Sequence, residues 1–354
     1  MSIQISKARS MHCRLLSAVV AVGMICGFSS QASAEPEVKN LKISFGIDLP
    51  FAPHVIAIKK GWFKEAGFES VEPKSFSAGA LAGEALLAGE IHIWQPSNIP
   101  PTSMAHNSIP VVLIANGSTL TGLEKLVVRK DANVSKPEDL YKIKIGLLVG
   151  SSSGMMLNNI IETYNLDKNK IQAVNLAPPE ALASMAANEI QGLLIWEPWP
   201  YRALAEIDSK VVHTGLTSYF DHNKGEKAQV ANLRSVMVAS QDFVRDNPET
   251  IKAYLAVMAK AHAYAADPKN KEEVVAEFAK FQKQPTQIST DLYENYVYDL
   301  TIDDKFMADV DAVTDYLFAV GRIKSKMKAA EFIYTDGLKA ADANLAKSEG
   351  TWKP

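Results

Sequence analysis

Cysteine is nearly missing from this 354-residue chain: the two present, Cys13 and Cys26, both lie in the first 34 residues. The rest can form no disulfide, offer no thiolate ligand and use no cysteine nucleophile. Long apolar runs are also lacking. The run over 15–28 is short for a bilayer span, and no later stretch approaches the roughly 20 apolar residues a membrane helix needs. The histidines at 54, 92, 106, 213, 222 and 262 show no paired ligand spacing, so no metal is expected. With neither a Walker loop nor a dinucleotide fingerprint, no cofactor is expected either. Basic charge is in deficit, 37 Lys and Arg against 40 Asp and Glu, which argues against a nucleic-acid partner.

The N-terminus carries what is needed for export. Lys7, Arg9 and Arg14 flank an apolar run that ends at Ala32-Ser33-Ala34, the pattern of a secretory signal cleaved after Ala34. Its loss removes three bases and leaves 34 against 40, a formal charge of −6. The remaining chain is too long for one ordinary core and fits two lobes.

The pattern alternates short strands with helices. Strands are expected over 41–46, 68–73, 91–94 and 110–115, with helices over 53–60 and 81–88. A second series has an extended run over 126–129, strands over 143–148, 171–175 and 191–195, and helices over 155–164 and 179–187. After an apolar stretch over 236–239, helices are expected over 248–266, 271–280, 290–298, 305–320 and 329–345. The expectation is an α/β chain of two lobes, each a mixed sheet flanked by helices, with the helical tail folded back on the first. Lobe I would comprise 35–127 and 236–354, lobe II 128–235, with two chain crossings forming a hinge.

In open α/β sheets, ligands bind beside helix N-termini at the carboxyl ends of strands. Three loops fit: Asp48-Leu49-Pro50-Phe51, Ser77-Ala78-Gly79-Ala80 and Gly150-Ser151-Ser152-Ser153-Gly154. The last offers three hydroxyls and free amides to one oxyanion; the plain alternative is that Ser153 only caps a helix. The same five residues match G-x-S-x-G, so a secreted serine hydrolase using Ser152 is a distant alternative. Trp196 can wall a pocket, and Glu197 can accept from an amine, a hydroxyl or the hinge backbone. Gln95, Ser97 and Asn98 hold the matching place in lobe I, and Arg234, near the second crossing, is a candidate counter-charge.

Several segments carry a family likeness: 57–63 (AIKKGWF) with Gly67, 85–89 (ALLAG), 127–131 (VVRKD), 144–146 (KIG) leading into Gly150-Ser151-Ser152-Ser153, Trp196-Glu197-Pro198, and 242–249. In this order the chain resembles the substrate-binding proteins of the nitrate, sulfonate and taurine class of ABC importers, which also holds binders of thiamine-pyrimidine precursors. The resemblance implies a type II periplasmic-binding fold, no catalysis, and a monomer in the periplasm that delivers a small organic anion to an inner-membrane permease. It also implies a ligand set of Asp48, Leu49, Phe51, Ala78, Gly79, Gln95, Ser97, Asn98, Ser151, Ser152, Ser153, Trp196 and Glu197. In this reading the serines and the Gly79 helix terminus hold the oxyanion, Phe51 and Trp196 cover the apolar part, and Asp48 and Glu197 anchor an amine if there is one. A neutral heteroaromatic or aromatic-acid solute is the alternative within the class. His92, Gly154 and Gln191 depart from the family pattern.

Overall fold

Ten strands alternate with thirteen helices in a computed structural model that describes residues 35–76, 79–120 and 122–354. The expected signal, at 1–34, and Ala78 lie outside the described residues. The strands are β1 (Asn40–Phe45), β2 (Ser70–Lys74), β3 (Ile93–Gln95), β4 (Val111–Thr119), β5 (Glu124–Arg129), β6 (Lys144–Leu147), β7 (Gln172–Asn175), β8 (Gly192–Trp196), β9 (Ser209–Thr214) and β10 (Arg234–Ser240). They form two five-stranded sheets, ordered β2-β1-β3-β10-β4 and β7-β6-β8-β5-β9.

The two sheets share one plan. In each, the leading strand pairs in parallel with two others, β1 with β2 and β3, and β6 with β7 and β8. In each, a strand beside a crossing is inserted antiparallel: β10 between β3 and β4, β5 between β8 and β9. The chain leaves the first sheet between Thr119 and Glu124 and returns between Thr214 and Arg234. The expected boundaries at 127/128 and 235/236 cut through β5 and β10. Each is continuous in one sheet, so the crossings fall outside them.

The helices of the first series are α1 (Ala52–Lys60), α2 (Trp62–Glu65), α3 (Gly79–Leu87) and α4 (Ile99–His106). Those of the second are α5 (Ser152–Thr163), α6 (Pro178–Ala186) and α7 (Trp199–Glu206). The tail holds α8 (Gln241–Asp246), α9 (Pro248–Ala266), α10 (Lys271–Gln282), α11 (Thr286–Leu292), α12 (Asp304–Ala319) and α13 (Asp336–Ala341). Local chemistry sets many of their ends. Pro53 opens α1 and Gly61, at φ 74°, closes it in the left-handed conformation glycine tolerates. The Asp303 carboxylate accepts from the Phe306 amide at 2.8 Å and starts α12.

Two expected helices fail because apolar period does not register where a helix is interrupted. The helix expected over 290–298 gives way to α11 and one tight turn. The Thr119 amide then donates to the Val297 carbonyl at 3.0 Å, and the Tyr298 hydroxyl to the Leu49 carbonyl at 3.1 Å. The helix expected over 329–345 is broken into a turn at 329–332, the short α13 and a turn at 343–345. Helix α4, a segment without a sequence expectation, opens on Pro100 and Pro101, which a first turn tolerates.

The tail does fold onto the first sheet. One core joins Leu41, Ile43, Val111 and Val236 with Tyr254, Met258, Val310 and Leu338. The second sheet has its own smaller clusters around Leu126, Ile145 and Met156 on one face and Val127, Leu193 and Ala203 on the other.

Candidate functional site

The two units meet where strands β1, β3, β6 and β8 end. Met155, on α5 of the second unit, is buried in the first unit's core, and Trp196 packs against apolar clusters of both. On the rim, the Tyr201 hydroxyl donates to Asp291 at 3.2 Å. A methyl group on Gly154 would lie 3.0 Å from the Tyr316 hydroxyl of α12, so this departure from the family pattern gives the two units room to touch. Gly154→Leu is therefore expected to raise the helix propensity of α5 while weakening solute affinity about tenfold through hindered closure, read by calorimetric titration beside a melting curve.

At that junction three carboxylates converge. Asp48 follows β1. Glu124 opens β5 directly across the ladder from Trp196, and Glu197 follows β8. All three are buried. Glu197, wholly inaccessible, has both oxygens engaged, one by the Lys125 ammonium and the other by the Tyr201 backbone N–H at 2.9 Å. Of the partners weighed for Glu197, an amine is supplied from within the chain by Lys125, and the second oxygen takes a backbone N–H of α7 in place of the hinge backbone. Glu124 is different: Ser152 lies beside its carboxylate and favours the ionised form, but Oε2 has no hydrogen-bond partner. Burial pushes Glu124 up to about 8, with the charges of Asp48 and Glu197 adding to the rise. Burial likewise pushes Asp48 up to about 7, with the charge of Glu197 a smaller contribution.

The Tyr296 hydroxyl completes the group. Burial is the main cause that raises it well above the phenol range, and the nearby charges of Asp48, Glu197 and Glu124 act in the same direction. It too is without a partner, as is the Ser153 hydroxyl. Sequence reasoning passed over Glu124, Lys125 and Tyr296. Glu124 and Lys125 fell just ahead of the extended run read as starting at 126, and Tyr296 fell inside a helix that does not form. The available signal was an acid opening an otherwise apolar strand at a crossing.

The other expected site residues divide. Ser151, not Ser153, caps α5: its Oγ accepts from the Ser153 amide at 3.2 Å and donates to the Leu148 carbonyl at 2.7 Å. This leaves Ser152 and Ser153, both buried, in the first turn. Leu49 and Phe51 are buried, with Phe51 stacked on Phe45 at 6.4 Å. Phe51 also lies over Gly46, where a Cβ would come within 2.3 Å of its ring. Gly79 begins α3 and is exposed. Gln95 donates to Ser235 at 2.9 Å, Ser97 bridges to Ser235, and Asn98 sits against the Arg234 backbone, so these three join the hinge strand β10. Arg234 is not a free counter-charge: its Nε donates to Asp309 at 2.8 Å and Asp299 lies 3.9 Å away.

His92 and Gln191 occupy equivalent places in the two sheets. The His92 Nδ1 accepts from the Lys42 amide at 3.1 Å, and the Gln191 Oε1 from the Lys144 amide at 3.2 Å, each at the start of a leading strand. They stand at the opposite ends of the strands from the carboxylates, so they bear on the sheets and not on the site.

This is the two-lobe architecture of periplasmic binding proteins. The profile of the NMT1-like family matches residues 34–279, and the chain belongs to that family. A taurine-binding periplasmic protein of Escherichia coli is 30% identical over 226 residues, 64% of this chain and 64% of that relative's length. Among solved structures, the alkanesulfonate-binding protein SsuA of Xanthomonas axonopodis bound to MOPS superposes with TM-score 0.70 at 16% identity, covering 85% of this chain and 99% of its own. The nitrate-binding protein NrtA of Synechocystis gives 0.71 at 15%, covering 88% and 90%. The desulfurization enzyme DSZB gives 0.64 at 15%, covering 86% and 99%, so the fold alone does not separate receptor from enzyme.

Proposed function

We propose that the chain is an exported solute-binding receptor of an ABC importer that closes its two lobes on a small organic oxyanion compound of the sulfonate type and presents the closed form to a membrane permease. The observation that carries this reading is the meeting of Ser152, Glu124 and Trp196, which puts the serine turn at the junction of the units and beside the tryptophan. The first turn of α5, a twelve-residue helix, offers the positive end of its dipole and the Ser152 and Ser153 hydroxyls to an anion. Trp196, half-buried between the two cores, covers the apolar part.

Among the described residues, the three histidines that follow Ser152 are engaged elsewhere, which counts against the hydrolase alternative. His213 is bonded to Tyr164 and the Thr214 carbonyl, and His262 to the Met258 and Gly117 carbonyls; His222 stacks on Phe220. Ser152 instead lies beside a carboxyl pushed up to about 8. A thermal-shift screen of sulfonates, nitrate, pyrimidines and aromatic acids tests the reading. A solute at about 100 times its Kd adds about 2.7 kcal/mol of apparent stability, and a sulfonate is expected to give that shift. A shift from pyrimidines or aromatic acids alone would move the assignment to that branch. Labelling of Ser152 by a fluorophosphonate would replace the receptor with an enzyme.

A further inference from the structure

We propose that Arg322, carried by the tail of the first unit, is the entrance cation that draws an anionic solute onto the serine turn of the second unit, with Lys324 and Lys328 extending its field. The inference deepens the receptor reading and rests on it.

The argument begins with which cations are already engaged. Of the five arginines after residue 34, Arg129, Arg234 and Arg245 are ion-paired, and Arg202 lies over the Trp199 ring at 5.0 Å. Arg322, the fifth, is exposed and joins none of the ion pairs among the described residues. It opens a run, 322–328, in which Arg322, Lys324, Lys326 and Lys328 are exposed while Ile323 is buried and Met327 half-buried. The run is tied down along its length. The Asn107 side chain donates to the Arg322 carbonyl at 3.3 Å, the Arg322 amide donates to the Leu317 carbonyl at 2.8 Å, and the His106 Nε2 accepts from the Met327 amide at 3.1 Å. The neighbouring acids are engaged as well: Asp315 takes the Lys326 ammonium at 2.7 Å, and Asp311 and Glu331 accept from the backbone amides of Ala329 and Lys328. Arg322, Lys324 and Lys328 keep their charge for something outside the chain.

Position then supplies the role. A Cβ placed on Gly150 would lie 3.9 Å from a guanidinium nitrogen of Arg322, and one on Gly154 lies within reach of Tyr316, in the last turn of α12 just ahead of the run. Gly150 and Gly154 bracket the serine turn, so the tail flanks that turn at both ends. The segment 148–154 holds no acid that could pair with Arg322. A cation beside the first turn of α5 meets the positive end of the helix dipole, an arrangement that is unfavourable until an anion lies there. An independent observation points the same way. The Ser153 hydroxyl, 0% exposed and in that first turn, has no hydrogen-bond partner, whereas buried hydroxyls are ordinarily satisfied. With 34 bases against 40 acids after residue 34, the chain as a whole repels an anion, and a local run of cations reverses the field on the last approach. A solute of zero net charge gains little from it.

The test is stopped-flow tryptophan fluorescence of the purified protein mixed with ethanesulfonate, an anion, or 2-aminoethanesulfonate, a zwitterion, at about 10 mM and about 500 mM salt. The proteins compared are the wild type, Arg322→Gln, Arg322→Glu and the double variant Lys324→Gln with Lys328→Gln, each shown to fold by its melting curve. At low salt the association rate for ethanesulfonate is expected to fall about fivefold in Arg322→Gln, more than about tenfold in Arg322→Glu and about twofold in the lysine variant. Dissociation is expected to change by less than about twofold, as for a charge on the rim of a site. At high salt the variants are expected to converge on the wild type, and the zwitterion's rate to be the same in all four proteins. An association rate insensitive to Arg322 and to salt would overturn the inference. So would a loss carried entirely by faster dissociation, which would make Arg322 a contact of the closed form. Binding to phosphatidylglycerol vesicles that is lost in Arg322→Glu, with the ethanesulfonate rate unchanged, would overturn it in favour of a membrane surface. Binding of the zwitterion alone would remove the net charge on which the field acts and would overturn it too. If neither sulfonate binds, the receptor reading itself fails and the inference falls with it.

Discussion

Glu197→Ala is expected to lower the unfolding free energy by about 3–5 kcal/mol, more than any surface substitution in the molecule. The reason is what the change leaves behind. Glu197 is wholly buried at the end of β8, with the Lys125 ammonium on one oxygen and the Tyr201 amide on the other. Its removal strands a mostly buried cation and an unpaired N–H at the start of α7, and each loses its partner without regaining full hydration. The exposed pair Lys339–Glu349 serves as the control: Glu349→Ala is expected to leave the unfolding midpoint nearly unchanged, because solvent screens the pair. Urea denaturation measures both. Equal small losses would mean that Glu197 does not clamp the chain beside the first crossing.

The second large effect is a loss of stability as the unliganded protein becomes alkaline. Asp48 rises from 3.8 to about 7 and Glu124 from 4.5 to about 8, both chiefly through burial. A group whose folded pKa lies above its unfolded value contributes stability that is complete below the unfolded pKa and disappears as pH rises through the folded one. These two acids therefore work against the fold from about pH 4 to pH 8. Two buried histidines oppose them over part of that range. His54, lowered to about 3, and His262, lowered to about 4, are both shifted mainly by burial and favour the fold increasingly from those values up to 6.5. Above pH 6.5 the histidines have finished titrating and the acids act alone. Between pH 6.5 and 8.5 the protein is expected to lose about 1–3 kcal/mol. Glu124→Gln should flatten most of that slope, because Glu124 titrates over more of the window than Asp48 does, and be the more stable protein at pH 8.5. A wild-type profile flat over this range would contradict the burial of the pair.

Much of the architecture was legible in the chain because periodicity and punctuation agreed. The apolar runs around 41–46, 143–148 and 191–195 became the central strands, and glycine at 61 marks a helix end by its own stereochemistry. The serine turn and Trp196 were legible too, since both follow apolar strands. What could not be read depends on partners far away in sequence. Tyr296 belongs to a segment whose helical period is overridden by the Thr119–Val297 bridge. Arg234 looked available only because its partner, Asp309, is 75 positions away. Glu124 carries no local signal of convergence with Asp48, because that meeting is made by the packing of two separate sheets. The part of the site drawn from loops was visible, while its charge balance was not.

The most direct test of the account is a crystal structure of the protein with 2-aminoethanesulfonate. The account predicts the sulfonate at the first turn of α5, against Ser152 and Ser153, with Trp196 over the methylene carbons. A sulfonate lying outside the junction of the two units would contradict it.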